Sequence, residues 1–98
     1  MKDIVEILQE KFKSEGLELL IRSIHKIDMK ANSCKKIWEW DVWLGDEFYA
    51  FVMSDSDYGS PEFTSEKECH DYLWKNHRII ISDCKKRIKE GNIITDII

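Results

Sequence analysis

Residues 37–53, IWEWDVWLGDEFYAFVM, constrain the fold of this 98-residue chain more than any other stretch. Aromatic and aliphatic residues alternate with other residues on both sides of Gly45-Asp46, and a period of two is typical of strands with one buried face. Glycine at the first position of a two-residue turn suits a type II′ hairpin. The stretch therefore predicts a β-hairpin that turns at Gly45-Asp46 and pairs Trp40 with Phe51.

The predicted hairpin has one apolar face and one mixed face. We expect the apolar face to lie on the core, and it consists of Trp38, Trp40, Val42, Leu44, Tyr49, Phe51 and Met53. The mixed face, which we expect to look outward, consists of Ile37, Glu39, Asp41, Trp43, Phe48, Ala50 and Val52. Trp43 and Phe48 lie opposite each other in this register, beside the turn and flanked by carboxylates.

The first third of the chain predicts a helix followed by a less certain element. Residues 3–15 place apolar side chains at helical spacing behind Asp3, a favourable N-cap, and Gly16 is a natural stop. Residues 17–29 fit a helical stripe and an alternating strand almost equally well. Their β-branched content favours the strand, which we predict.

The last third predicts helix. Residues 64–77 and 78–90 form two helices or one kinked helix, with Ser65 and Glu68 as a capping box and Gly91 as the stop. The side chains expected to face inward are Cys69, Tyr72, Leu73, Asn76, Ile80, Ile81, Cys84 and Ile88.

The predicted fold class is α+β. We expect an N-terminal helix, a three-stranded antiparallel meander, and one or two C-terminal helices on one face of the sheet. The length and a composition of 43% hydrophobic and 35% charged residues predict one globular domain over residues 1–98. The N-terminus has no apolar signal-peptide region, no run reaches the about 18–20 apolar residues of a membrane span, and three irregularly spaced cysteines favour a reduced, cytoplasmic protein.

Charge is concentrated in the middle of the chain. Residues 37–68 hold nine acids and a single base, Lys67, whereas residues 17–36 are net basic. The acids are Glu39, Asp41, Asp46, Glu47, Asp55, Asp57, Glu62, Glu66 and Glu68. Such a block favours a basic partner and repels nucleic acid from that surface.

Other chemistry has weaker support in the sequence. Asp55, Asp57 and Glu66 fit three positions of a calcium loop, but the required glycine is missing. His70 and His77 lie two helical turns apart, too far to chelate one ion together. The basic residues Lys85, Lys86, Arg87 and Lys89 suit the end of a helix. We expect Cys34, Cys69 and Cys84 to be small buried hydrophobes and His25 to be a core histidine.

In size, acidity and predicted element order, the chain resembles small phage-encoded anti-CRISPR inhibitors. The resemblance covers architecture and charge, and it rests on no sequence motif. It implies a non-enzymatic protein that inhibits a larger nucleic-acid-handling protein by occupying its basic surface, with no catalytic residue, cofactor or metal. The alternatives are a toxin-neutralising immunity protein, a metal-dependent module, a nucleic-acid-binding module and a homodimer. The expected partner-binding residues are Glu39, Asp41, Trp43, Asp46, Glu47, Phe48, Asp55, Asp57 and Tyr58.

Overall fold

The computed structural model describes residues 3–45, 50–59 and 62–93. Two helices and three strands are joined in the order α1 (Ile4–Lys13), β1 (Leu17–Asp28), β2 (Ser33–Leu44), β3 (Ala50–Ser54) and α2 (Glu66–Glu90), with a 3₁₀ turn (Asp55–Tyr58) after β3. The strands form one antiparallel sheet in the order β1-β2-β3, and the two helices pack against it. The predicted α+β meander is confirmed.

Local capping chemistry sets the helix ends where the sequence predicts them. The carboxylate of Asp3 accepts the backbone N–H of Glu6 at 2.9 Å, and the hydroxyl of Ser65 accepts that of Glu68 at 3.2 Å. Gly91 adopts φ of +76° and ends α2, which runs unbroken through residues 76 and 77. The C-terminal segment is therefore one helix of 25 residues.

The core lies between the helices and one face of the sheet. Leu17 and Leu19 confirm the strand predicted after Gly16, since both are buried and alternate with half-buried neighbours. The buried cluster consists of Leu8, Phe12, Leu17, Leu19, Trp40, Val42, Val52, Met53, Phe63, Cys69, Leu73, Ile80 and Cys84.

The pairing of β2 with β3 differs from the prediction. Trp43 lies opposite Phe51 instead of Phe48, and Trp40 is not paired with Phe51, so the two-residue turn is wrong. The connection from Leu44 to Ala50 is longer, and residues 46–49, including Phe48 and Tyr49, lie outside the described residues. An odd shift in register exchanges the two faces of a strand.

A β-bulge limits that exchange to the part of β3 before Met53. The register slips by one residue at Val42 and Trp43, so β3 carries an extra residue there. Met53 therefore lies in the core opposite Val42, on the face predicted for it. Val52 and Ala50 are buried as well, so the outward position predicted for these two residues is wrong. Phe51, predicted on the core, lies on the mixed face beside Trp43.

The far ends of β1 and β2 extend beyond the helices. Every residue from 22 to 36 is exposed, and we call residues 24–36 the arm. A ten-residue helix is about 15 Å long, whereas a twelve-residue strand spans about 40 Å, so α1 covers only the first part of β1. The core position predicted for His25 is therefore wrong, as is the burial predicted for Cys34.

Candidate protein-binding site

Two carboxylates contact one guanidinium on the mixed face, and a third carboxylate interacts with them electrostatically. The β1–β2 register places Arg22 directly opposite Glu39. Arg22 Nε contacts Glu39 Oε1 at 2.6 Å, and its Nη2 contacts Asp41 Oδ2 at 3.2 Å. Asp55, at the start of the 3₁₀ turn, interacts electrostatically with all three of these side chains. We call Glu39, Asp41 and Asp55 the carboxylate cluster.

The single cation does not balance the cluster. Asp41 is 6% exposed, and burial raises its pKa, as do Glu39 and Asp55, while Arg22 lowers it. Burial also raises the pKa of Asp55, with Glu39 as the next cause, although the backbone N–H groups of Trp40 and Ser56 donate to its carboxylate and oppose the rise. A second cation placed against these groups would stabilise their ionised forms.

An aromatic pair flanks the cluster. The rings of Trp43 and Phe51 lie 5.5 Å apart at 79°, an edge-to-face arrangement, and both residues are half-buried. Trp43 was predicted to pair with Phe48, which lies outside the described residues, and Phe51 takes that role. The mixed face thus combines carboxylates with adjacent rigid apolar surface.

Two of the predicted site residues have structural contacts of their own. Asp57 accepts the backbone N–H of Ser54 at 2.8 Å and contacts Arg87 Nη2 at 3.2 Å. The hydroxyl of Tyr58 donates to Asp83 at 2.7 Å. These contacts attach the 3₁₀ turn to α2, so Tyr58 is half-buried and its pKa is raised by desolvation.

The structure therefore brings together four of the nine predicted site residues: Glu39, Asp41, Trp43 and Asp55. Asp46, Glu47 and Phe48 lie outside the described residues. The sequence analysis missed Arg22 and Phe51. Arg22 could have been placed on the mixed face if the pairing of β1 with β2 had been predicted, because directly opposite residues such as Arg22 and Glu39 share a face.

The described side chains that could bind a metal, act as nucleophiles or contact phosphate are scattered, buried or paired with other residues. Among residues 3–45, 50–59 and 62–93, no group of three or more His, Cys, Asp or Glu side chains could hold a metal ion. Burial raises the pKa of Cys69 and Cys84 to about 12 each, so these thiols stay protonated near neutral pH. In the basic cluster of α2, Lys85 contacts Glu15 at 3.1 Å, and Arg87 also donates to the carbonyl of Val52 at 3.0 Å.

The chain was compared with protein-family models, curated proteins and solved structures, and none of the three comparisons found a match. Within the part of the chain that the structure describes, neither helix has the length and apolar character needed to span a membrane.

Proposed function

We propose that this chain is a cytoplasmic, non-enzymatic binding protein that inhibits a larger nucleic-acid-handling protein by occupying a basic surface on it. The observation that carries the proposal is the imbalance on the mixed face, where one guanidinium contacts two carboxylates, a third carboxylate interacts with them electrostatically, and an aromatic pair lies alongside. Anti-CRISPR inhibitors, which the chain resembles in size and charge, are the class of protein that this mode of action suggests.

The partner's cations would act directly on the carboxylate cluster. An arginine or lysine that approaches Glu39 and Asp55 would form charge-assisted hydrogen bonds and relieve the repulsion among the carboxylates. Trp43 and Phe51 would supply the desolvated apolar contact that concentrates binding energy at the centre of an interface. Acids in this position also speed the encounter with a basic partner.

The proposal predicts how the affinity for the partner depends on pH. Because a bound cation lowers the pKa of Asp41 and Asp55 from their raised values, binding favours the ionised carboxylates. The affinity should therefore be full near pH 7 and fall as the pH drops through the raised values of the free protein.

The test is affinity capture from a lysate of the native host, with identification by mass spectrometry. Wild type is compared with Glu39→Gln/Asp55→Asn, and with Glu66→Gln/Asp71→Asn as a control that loses the same charge at the start of α2. All three proteins are first shown to unfold cooperatively.

We expect wild type and the control to recover one nucleic-acid-handling protein that the Glu39→Gln/Asp55→Asn variant loses. Purified wild type should then inhibit that protein's activity, and the variant should not. Equal recovery by all three, or recovery without inhibition, would refute the proposal.

A further inference from the structure

The arm has a charge opposite to that of the carboxylate cluster. It carries four lysines and one acid, and the carboxylate of Asp28 is engaged in the turn, where it accepts the backbone N–H groups of Lys30 and Ala31 at 3.0 and 3.2 Å. The lysines are Lys26, Lys30, Lys35 and Lys36. The arm is therefore a cationic projection on a protein whose net charge is −4.

The lysines of the arm are held on the surface by weak contacts. Lys26 and Lys35 both contact Glu62, and the side chains of all three are at least 35% exposed. Lys36 Nζ lies 5.0 Å from the centre of the Trp38 ring. Exposed ion pairs contribute little free energy, so these ammonium groups can exchange their present contacts for another anion.

The tip of the arm is apolar as well as basic. Ile27 is 68% exposed and Met29 is 86% exposed, and Met29 lies in the turn between the two strands. Together with Lys26, Lys30 and Lys35 they line a groove of about 470 Å³, whose wall also includes the carboxylates of Asp28 and Glu62, each already engaged within the molecule. An exposed methionine at the end of a basic ribbon suits an occupant that offers both negative charge and an apolar gap.

Duplex DNA has both properties. Its phosphates attract lysine side chains along the whole groove, and proteins that bind the minor groove insert Ile or Met side chains between base steps. We propose that the arm binds duplex DNA, with the lysines on the phosphates and Met29 as a wedge in the minor groove. The rest of the sequence is net acidic, which favours contact through the arm.

This inference goes beyond the proposed function and does not depend on it. The carboxylate cluster would take a basic protein, whereas the arm takes an anion, so one chain could contact a nucleic-acid-handling protein and its DNA together. The basic residues predicted on α2 lack an exposed apolar tip like that of the arm, and Arg87 is held by both Asp57 and the carbonyl of Val52.

The experiment measures fluorescence anisotropy of a labelled 20-base-pair duplex titrated with the purified chain between 50 and 200 mM salt. Four phosphate contacts predict that wild-type affinity falls by about 150-fold over this range. Lys30→Gln/Lys36→Gln should reduce that fall to about 10-fold. Met29→Ala should weaken binding and leave the salt dependence unchanged.

The matched control is Lys86→Gln/Lys89→Gln, which removes the same charge from α2 and should bind like wild type. Thermal unfolding verifies that each variant is folded. The inference is overturned if wild type fails to bind the duplex at 50 mM salt, or if the α2 variant loses as much affinity as the arm variant. Binding to phosphatidylserine vesicles without binding to the duplex would also overturn it.

Discussion

Arg22 is the side chain that allows Asp41 to be buried on the mixed face. Its guanidinium contacts Asp41 and Glu39 while its own side chain remains 51% exposed. A buried carboxylate without a cation is costly, whereas an exposed ion pair contributes little. The contact between Arg22 and Asp41 lies between these limits, and Asp55 adds a third negative charge nearby.

Replacing Arg22 should therefore destabilise the fold through Asp41. We expect Arg22→Gln to lower the free energy of unfolding by about 1–2 kcal/mol, less than for a fully buried pair because Arg22 is half in solvent. Urea denaturation at pH 7 measures the loss. The double variant Arg22→Gln/Asp41→Asn should regain most of it, and a double variant as unstable as the single one would show that Asp41 is not the cause.

Asp55 should make the protein less stable as it ionises. Because burial and Glu39 raise its pKa in the folded state, the folded state binds this proton at a higher pH than the unfolded chain does. Stability is therefore lost as the pH rises through the folded pKa. Asp55→Asn, which can still accept the N–H groups of Trp40 and Ser56, should raise Tm at pH 7.

The gain in Tm should shrink as the pH falls toward about 3.9, the ordinary pKa of aspartate. Scanning calorimetry at several pH values between 3.5 and 7 provides the comparison. A lower Tm for Asp55→Asn at pH 7 would mean that the hydrogen bonds of the charged carboxylate outweigh its desolvation.

The arm and α2 show how differently two long elements can contribute to one fold. The helix presents Cys69, Leu73, Ile80 and Cys84 to the core at helical spacing. The arm is exposed throughout and borders the described core only at its base. The core therefore lies where the helices cover the sheet, and the exposed arm is available for binding.

Shortening the arm should leave the fold intact. We expect a variant in which a two-residue Asn-Gly turn replaces residues 26–35 to change the free energy of unfolding by at most about 1 kcal/mol, because the removed side chains are exposed and surface ion pairs are weak. Denaturation in urea and far-ultraviolet circular dichroism test this. Loss of cooperative unfolding would show that the arm belongs to the core structure.

The molecule as a whole redistributes the charge that the sequence concentrates. Basic residues from outside residues 37–68 form ion pairs with acids inside that block. Arg22 pairs with Glu39 and Asp41, Lys26 and Lys35 pair with Glu62, and Arg87 pairs with Asp57. What remains of the acidic surface is smaller than a count of charges indicates. Among the residues that the structure describes, the carboxylate cluster is a place where the compensation is incomplete.

The single core shared by both helices and the sheet makes unfolding sensitive to one buried side chain. Leu73→Ala should cost about 2–5 kcal/mol, a large part of the about 5–15 kcal/mol available to a domain of this kind. Ile79→Ala, on the same helix but 58% exposed, should cost less than about 0.5 kcal/mol. Chemical denaturation of both variants is the measurement, and equal losses would contradict the position of the core.

Short-range features of the sequence were sufficient for the elements and their order. Asp3, Ser65 and Gly91 act on backbone groups within a few residues, and the alternation after Gly16 reports burial on one strand. Such effects involve only residues close together in the chain, so they can be inferred from neighbouring residues. Glu39, Asp41 and Trp43 were placed on one face by the same alternation.

Long-range packing set the register of β3, the bulge, the exposure of His25 and the partner of each acid. Phe51 lies beside Trp43 because Val52 and Met53 both enter the core, and Arg22 meets Glu39 because β1 pairs with β2. These outcomes depend on side chains far apart in the chain and on where the helical layer stops. Neither capping nor periodicity contains that information, since both describe a residue only through its neighbours.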